Sequence, residues 1–228
     1  MNYDVAVNPQ QVTFSDEGKT LYQISADTLR INGESIALTD EQRHTLEQYQ
    51  DAITAQVPKV VTFIGDVSQF ASTAVTESLQ PLLSDNANRQ LDKLVEQVNS
   101  KIKKLANQQN NEYYLSAKSE QIEQVFGPEF EQQLQSIIES SVGTILMNLG
   151  QQMFNNENQS LEQSMDDFSN MMDNYGEQLS AKMEQHSQQF EQQAEQMCQQ
   201  LKQLEKMGQQ VQQQIPQLQP FGNVISTQ

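Results

Sequence analysis

Residues 161–215 read LEQSMDDFSNMMDNYGEQLSAKMEQHSQQFEQQAEQMCQQLKQLEKMGQQVQQQI. One apolar stripe runs through this stretch: Leu161, Met165, Phe168, Met172, Tyr175, Leu179, Met183, His186, Phe190, Ala194, Met197, Leu201, Leu204, Met207 or Gly208, Val211 and Ile215. The mean step is about 3.6 residues, the period of an α-helix with little net supercoil rather than the 3.5 of a strict heptad. At 1.5 Å per residue such a helix would extend about 80 Å. It cannot bury its stripe within a compact ball. Two arrangements satisfy it: the preceding helices laid antiparallel along it, or a second chain. Gly176 and Gly208 are its weak points, and Pro216 and Pro220 stop it, leaving a short tail, 216–228. Between residues 178 and 219, 17 of 42 positions are Gln, an uncharged helix former able to bond laterally. Flexible tails share that composition, but the unbroken stripe favours a helix.

Upstream, residues 39–154 also read as helical. Thr39-Asp40-Glu41-Gln42 is a capping box, in which Thr39 accepts from the amide of Gln42 and the Gln42 side chain reaches back. Leu46, Tyr49, Ile53 and Val57 follow at helical spacing, and Pro58 is expected to end this helix or open the next. Ser84-Asp85 caps a helix with the stripe Leu91, Leu94, Val98, Ile102 and Leu105. The polar run Asn107–Asn111 reads as a loop. A further helical region, about 112–154, bends near Gly127-Pro128 and carries the apolar cluster Ile137, Ile138, Val142, Ile145, Leu146 and Leu149. Asn155-Asn156 reads as the turn before the last helix.

Residues 1–38 have the period of strands. Tyr3, Val5 and Val7 alternate with polar or small residues, as do Val12 and Phe14. Asp16-Glu17-Gly18-Lys19 is a turn, and Asn32-Gly33 joins Leu29 and Ile31 to Ile36 and Leu38 as a hairpin. The expected fold is therefore α+β and mostly α: an N-terminal antiparallel meander of four or five strands (1–38), a helical region (39–154), a long Gln- and Met-rich helix (155–215) and the tail. The helices are expected to be elongated, antiparallel and coiled-coil-like. Charge suggests one pairing. Arg89, Lys93, Lys101, Lys103 and Lys104 cluster in one helix, whereas no Lys or Arg occurs between Glu120 and Ala181. Antiparallel packing of that basic helix on the acidic stretch 157–177 would set register more than stability, since each exposed pair contributes about 0–1 kcal/mol.

Composition limits the function classes. The net charge of −17 repels phosphate and leaves no basic stripe for nucleic acid. The uncharged run over residues 140–156 is 17 residues long and holds Asn148, Gln151 and Gln152, too short and polar to span a bilayer. Cys198 is the only cysteine, so no intrachain disulfide forms. The opening residues have neither a basic nor an apolar leader region, so no signal peptide is expected in the sequence as it stands.

Several segments together resemble a known family: Tyr3-Asp4-Val5-Ala6-Val7, Leu29-Arg30-Ile31-Asn32-Gly33 with Leu38, Gln42 to Tyr49 ending at Val57-Pro58, Phe126-Gly127-Pro128-Glu129-Phe130, Ser141-Val142-Gly143, and Ile215-Pro216 with Pro220. The chain resembles the YggN-like family of uncharacterised periplasmic proteins of Gram-negative bacteria. The resemblance runs over nearly the whole length and contains no catalytic motif. It implies a periplasmic location and a signal peptide outside this sequence. It implies no activity. In that compartment Cys198 is either an interior thiol or paired with a cysteine outside this sequence or on another chain.

Candidate site residues are few. His44 reads as part of an exposed polar face and His186 as a core or partly exposed histidine on the stripe. Eight of nine methionines fall between 147 and 207, and Met183, His186, Met197 and Cys198 lie on or beside one stripe. Soft sulfur and imidazole donors suit Cu(I), but Met197 and Cys198 lie about 16 Å beyond His186 along the helix, so one chain makes no single site. A Met-rich face also suits varied apolar partners. Asp166, Asp167, Asp173 and Glu177 lack calcium-loop spacing and read as a solvated face, as do Lys101, Lys103 and Lys104. No nucleophile elbow, phosphate-binding glycine loop, zinc spacing or Cys/His pair is present. The expectation is a non-enzymatic protein with no catalytic, cofactor or metal residues. It would act as a structural or protein-interaction element through helix faces, with a homo-oligomer or protein partner and little membrane contact. The alternatives are a holdase-like chaperone and a copper-binding module.

Overall fold

The alternating residues Val5, Val7, Val12, Phe14, Tyr22, Ile24 and Leu29 all bury on one face of an antiparallel sheet. The computed structural model describes residues 3–26, 28–80, 83–116, 118–155 and 161–222. The first five strands are β1 (Asp4–Asn8), β2 (Gln11–Asp16), β3 (Lys19–Ser25), β4 (Thr28–Ile31) and β5 (Glu34–Ile36). Positive φ at Glu17 and Gly18 and at Asn32 and Gly33 makes both tight turns, as expected of hairpin residues that tolerate the left-handed region.

Two further strands correct the expected count of four or five. β6 (Ala106–Gln109) and β7 (Glu112–Leu115) form a hairpin in place of the loop expected at the polar run and of the helix expected from about residue 112. Asn110 and Asn111 both take positive φ, at 49° and 64°, and so do the work of an Asn-Gly turn. β7 then pairs with β1, Val5 against Leu115 and Val7 against Tyr113. The sheet has seven strands in the order β5-β4-β3-β2-β1-β7-β6. Ala-Asn-Gln-Gln has no apolar alternation to announce a strand; it is held by β7, which is itself held by β1 about a hundred residues away in sequence.

The helices are α1 (Asp40–Leu79), α2 (Asp85–Leu105), α3 (Ser119–Phe126), α4 (Pro128–Asn155) and α5 (Leu161–Gln214). Among the described residues none is long and apolar enough to cross a membrane. The capping box at the start of α1 forms as read: Thr39 N–H donates to Gln42 Oε1 at 2.9 Å and Gln42 N–H to Thr39 Oγ1 at 3.3 Å. Ser84 Oγ accepts from Ala87 N–H at 3.2 Å at the start of α2. Gly127-Pro128 separates α3 from α4. Pro58 behaves differently from expectation: α1 runs through it. The lost backbone bond costs about 3 kcal/mol in a helix interior. Buried Ile53 and Val57 before it and Val61 after it offset that cost, each contributing about 1.5–3 kcal/mol.

The chain divides into two compact units, Met1–Ser68 with Ser100–Val125 and Gln193–Gln228, and Gln69–Asn99 with Phe126–Gln192. Their borders fall inside helices. In the first, the sheet is covered by Leu46, Tyr49, Ile53 and Val57 of α1 and by Leu204 and Val211 of α5. Here α1 and α5 are antiparallel, because Gln42 Nε2 donates to the Gln214 carbonyl at 2.6 Å while Tyr49 sits against Gly208. Residues 216–221, read as the start of a tail, form a 3-10 helix instead. Its Leu218 is buried, and the Phe221 ring lies 5.3 Å from that of Tyr22.

In the second unit, Ala87, Leu91 and Leu94 of α2 bury against Ile137 of α4, with Leu134 and Phe130 beside them. The described packing of α2 is with α4 and with α1, whose Leu79 joins the cluster and whose Ser72 Oγ donates to Asn99 Oδ1 at 3.1 Å; residues 157–160 of the expected acidic partner lie outside the described residues, as does Asn156 of the expected turn. Of the apolar cluster on α4, Ile137 is buried and Ile138 is 47% exposed; the side chains of Val142, Ile145, Leu146 and Leu149 lie outside the described set.

Gly208 is a close approach. A Cβ there would stand 3.1 Å from Tyr49 Oη, whereas one at Gly65 meets nothing within 4 Å. Replacing a helix-interior Gly with Ala is worth about 1 kcal/mol when space allows. Gly65→Ala is therefore expected to stabilise by about that amount in urea unfolding, and Gly208→Ala to destabilise. Removing the hydroxyl with Tyr49→Phe in the Gly208→Ala background should recover much of the loss. Equal gains from the two glycine substitutions would contradict this packing.

Candidate functional site

An open, partly apolar groove of about 460 Å³ combines α1 and α5 in the first unit. Pro58, Lys59, Thr62, Phe63 and Asp66 form one wall, and Gln193, Gln196, Met197 and Gln200 the other. Spacing explains the walls. Lys59, Phe63 and Asp66 recur at i, i+4 and i+7, one face of α1. Gln193, Met197 and Gln200 recur in the same way on α5. This face of α1 is rotated away from Ile53, Val57 and Val61, which the core takes. Phe63 and Met197 are half-buried, and Lys59, Thr62, Asp66, Gln193 and Gln196 are exposed. A second recess, of about 390 Å³, is lined by Gln209, Gln212, Gln213 and Gln219. Gln212 Nε2 donates to the Gly222 carbonyl, holding the 3-10 helix to α5. These surfaces supply thioether, aromatic and amide groups. They suit apolar anchoring with amide hydrogen bonds to a polypeptide.

A buried polar cluster lies where β1 meets the segment after β7. Asp4 is 5% exposed, and Ser116 Oγ donates to its Oδ1 at 2.5 Å. The side-chain amide of Gln121 lies against the same hydroxyl. Ser116 has one proton to give, which the carboxylate takes, so Gln121 is satisfied by presenting its NH2. Lys118 Nζ reaches Asp16 Oδ1 at 2.5 Å and Asp4 Oδ1 at 4.0 Å. The cluster ties the exit of β7 to β1 and β2. The hydrogen bond to Asp16 raises Lys118 above the usual ammonium range, with burial acting against it. Burial raises Tyr114, and the Asp4 charge adds to it.

The residues singled out in the sequence are dispersed. His44 is exposed, with its Nε2 3.1 Å from Gln48 Nε2. His186 is exposed, its ring 4.7 Å from that of Phe70. Cys198 is exposed and unpaired within the chain, which corrects the interior-thiol alternative and leaves pairing outside this sequence open. Met183 and His186 belong to the second unit and Met197 and Cys198 to the first. Among the described residues no three His, Cys, Asp or Glu side chains converge on a metal-sized site. Asp166, Asp173 and Glu177 are exposed; the Asp167 side chain lies outside the described set. Lys103 and Lys104 are exposed, and Lys101 Nζ donates to the Gln124 carbonyl at 2.9 Å. Sequence reading passed over Lys59, Thr62, Phe63 and Asp66. Their only signal was a shared helical face beside the apolar one.

Tyr22 and Tyr49 are also raised well above the usual phenol range, first by burial; Tyr49 adds to the shift of Tyr22. These two, Tyr114 and Lys118 all hold their protons more tightly when folded. Their stability contribution is complete below about pH 10, near the unfolded values, and is lost as pH rises through the raised folded ones. Stability in urea is therefore expected to fall above about pH 10, and Tyr49→Phe should make the fall shallower by one proton. An unchanged slope would refute the assignment.

Comparison with curated proteins and with solved structures finds no match. A family model does match, over residues 1–224, and the chain belongs to the family it describes, Protein of unknown function (DUF2884).

Proposed function

We propose that this protein is a non-enzymatic structural or protein-interaction component of the Gram-negative periplasm, working through the faces of its long helices. The observation that carries the reading is the uneven cover of the α5 stripe. Leu204, Val211 and Ile215 are 2%, 1% and 0% exposed, whereas Met183 is 38% exposed. Between them Phe190, Met197 and Leu201 are half-buried, and His186 and Ala194 are exposed. Apolar side chains at helical spacing gain about 25 cal/mol per Å² when a partner removes them from water. Methionine adapts its shape to such a partner at low cost. The periplasmic part of the proposal rests on the resemblance over the strand, Pro58 and Gly127-Pro128 segments.

A benzophenone amino acid placed at Met183, with one at exposed Asn170 as control, tests the reading in cell-envelope extracts. Cross-linked species of a few defined masses are expected from position 183 and not from 170. No adduct at 183, or the same adducts at both positions, would overturn it. A holdase acting on the same adaptable face would instead yield a continuum of masses and suppress aggregation of an unfolded model client at stoichiometric excess.

A further inference from the structure

We propose that the α1/α5 groove of the first unit is a self-recognition surface, occupied by the same groove of a second copy of this chain related by a two-fold axis. The proposal rests on the reading of helix faces as binding surfaces and names one partner for them.

The argument starts from charge. Lys59 and Asp66 are the only charged residues lining the groove. Both are exposed, and among the described residues neither has an ion-pair partner. They stand seven residues apart on one face of α1, about 10 Å along the axis, too far to pair with each other. Thr62 and Phe63 lie midway between them. A face with a cation at one end, an anion at the other and an aromatic side chain at the centre is complementary to itself when reversed. Turning a second α1 antiparallel puts Lys59 opposite the other copy's Asp66, twice, with Phe63 near the axis.

The second wall is also alike in the chemistry of its two ends. Gln193 and Gln200 lie at its ends, and Gln196 and Met197 at its middle. In the reversed pairing Gln193 meets the other copy's Gln200. Primary amides carry both donors and acceptors, so Gln–Gln pairs are self-complementary. Because α1 and α5 are antiparallel in this unit, Lys59 and Gln200 share one end of the groove and Asp66 and Gln193 the other. One axis, lying in the interface and perpendicular to the helices, therefore satisfies both walls together. An axis parallel to the helices would set Lys59 against Gln200 and leave both charges unmatched. Isologous contacts of this kind close at two copies. Phe63 and Met197 supply the apolar contact, and the two ion pairs select the register.

Absolute mass by sedimentation or light scattering, near physiological ionic strength, tests this with four proteins: the natural sequence, Lys59→Asp, Asp66→Lys and the double exchange. The natural sequence should dimerise. Each single reversal puts like charges opposite one another at both ends and should weaken dimerisation by about tenfold or more. The double exchange restores opposite charges and should recover the natural affinity to within about threefold. Both positions are solvent-exposed, and circular dichroism of each variant checks that the fold is kept. A protein that is monomeric at about 100 μM, a dimer indifferent to the single reversals, or a double exchange as weak as the singles would each overturn the proposal. A monomer that still gives defined adducts at Met183 would reject self-recognition while leaving the interaction reading intact.

Discussion

A sheet with one greasy face must have that face covered, and the first unit is organised around this need. Val5, Val7, Val12, Phe14, Tyr22, Ile24 and Leu29 present a continuous apolar surface. The seven-stranded sheet is open, with β5 and β6 at its edges, so helices provide the cover. The helices recruited come from opposite ends of the chain: α1 follows the first five strands directly, and α5 ends just before the 3-10 helix. Covering one surface thereby joins the beginning of the sequence to its end. It also brings Tyr49 so close to α5 that a Cβ at position 208 would stand 3.1 Å from its hydroxyl.

That arrangement decides how α5 divides its labour. Where the stripe meets the sheet unit, Leu204, Val211 and Ile215 are fully buried and behave as core. Toward Met183 the same periodicity continues with less cover. Glutamine fits this division. It forms helix, adds no charge to a chain already at −17, and leaves amides along the groove and beside Gly222. The strongly acidic surroundings keep exposed apolar side chains soluble through repulsion between molecules. Specific, complementary contacts must overcome that repulsion, which favours few and well-matched partners over broad stickiness.

Much of the local structure was legible. The Thr39 capping box, the Asn32-Gly33 turn, the Ser84 cap, the Gly127-Pro128 break and the extent of α5 follow from interactions among residues a few positions apart. The misreadings share a cause. β6 carries no apolar alternation, and its pairing partner β7 is held by β1 from the far end of the sequence. Pro58 stays inside α1 because burial on both sides outweighs one missing hydrogen bond. Leu218 and Phe221 look like tail residues until Tyr22 and the core receive them. Of the candidate site, the sequence displayed the Met197 and glutamine wall as part of a stripe. It did not display the wall of Lys59, Phe63 and Asp66, because a face beside the apolar one has no periodic signature of its own.

The sequence by itself determined the element types and most of their ends, since period, caps and turn residues act through near neighbours on the chain. It also determined the acidic balance and the single thiol. Only the tertiary structure decided which apolar positions of α5 are core and which are surface, that residues 106–115 join the sheet, and that one face of α1 meets one face of α5 to make a groove. Those outcomes depend on contacts between residues a hundred or more positions apart, whose free energy is set by shared burial and leaves no local mark in the sequence.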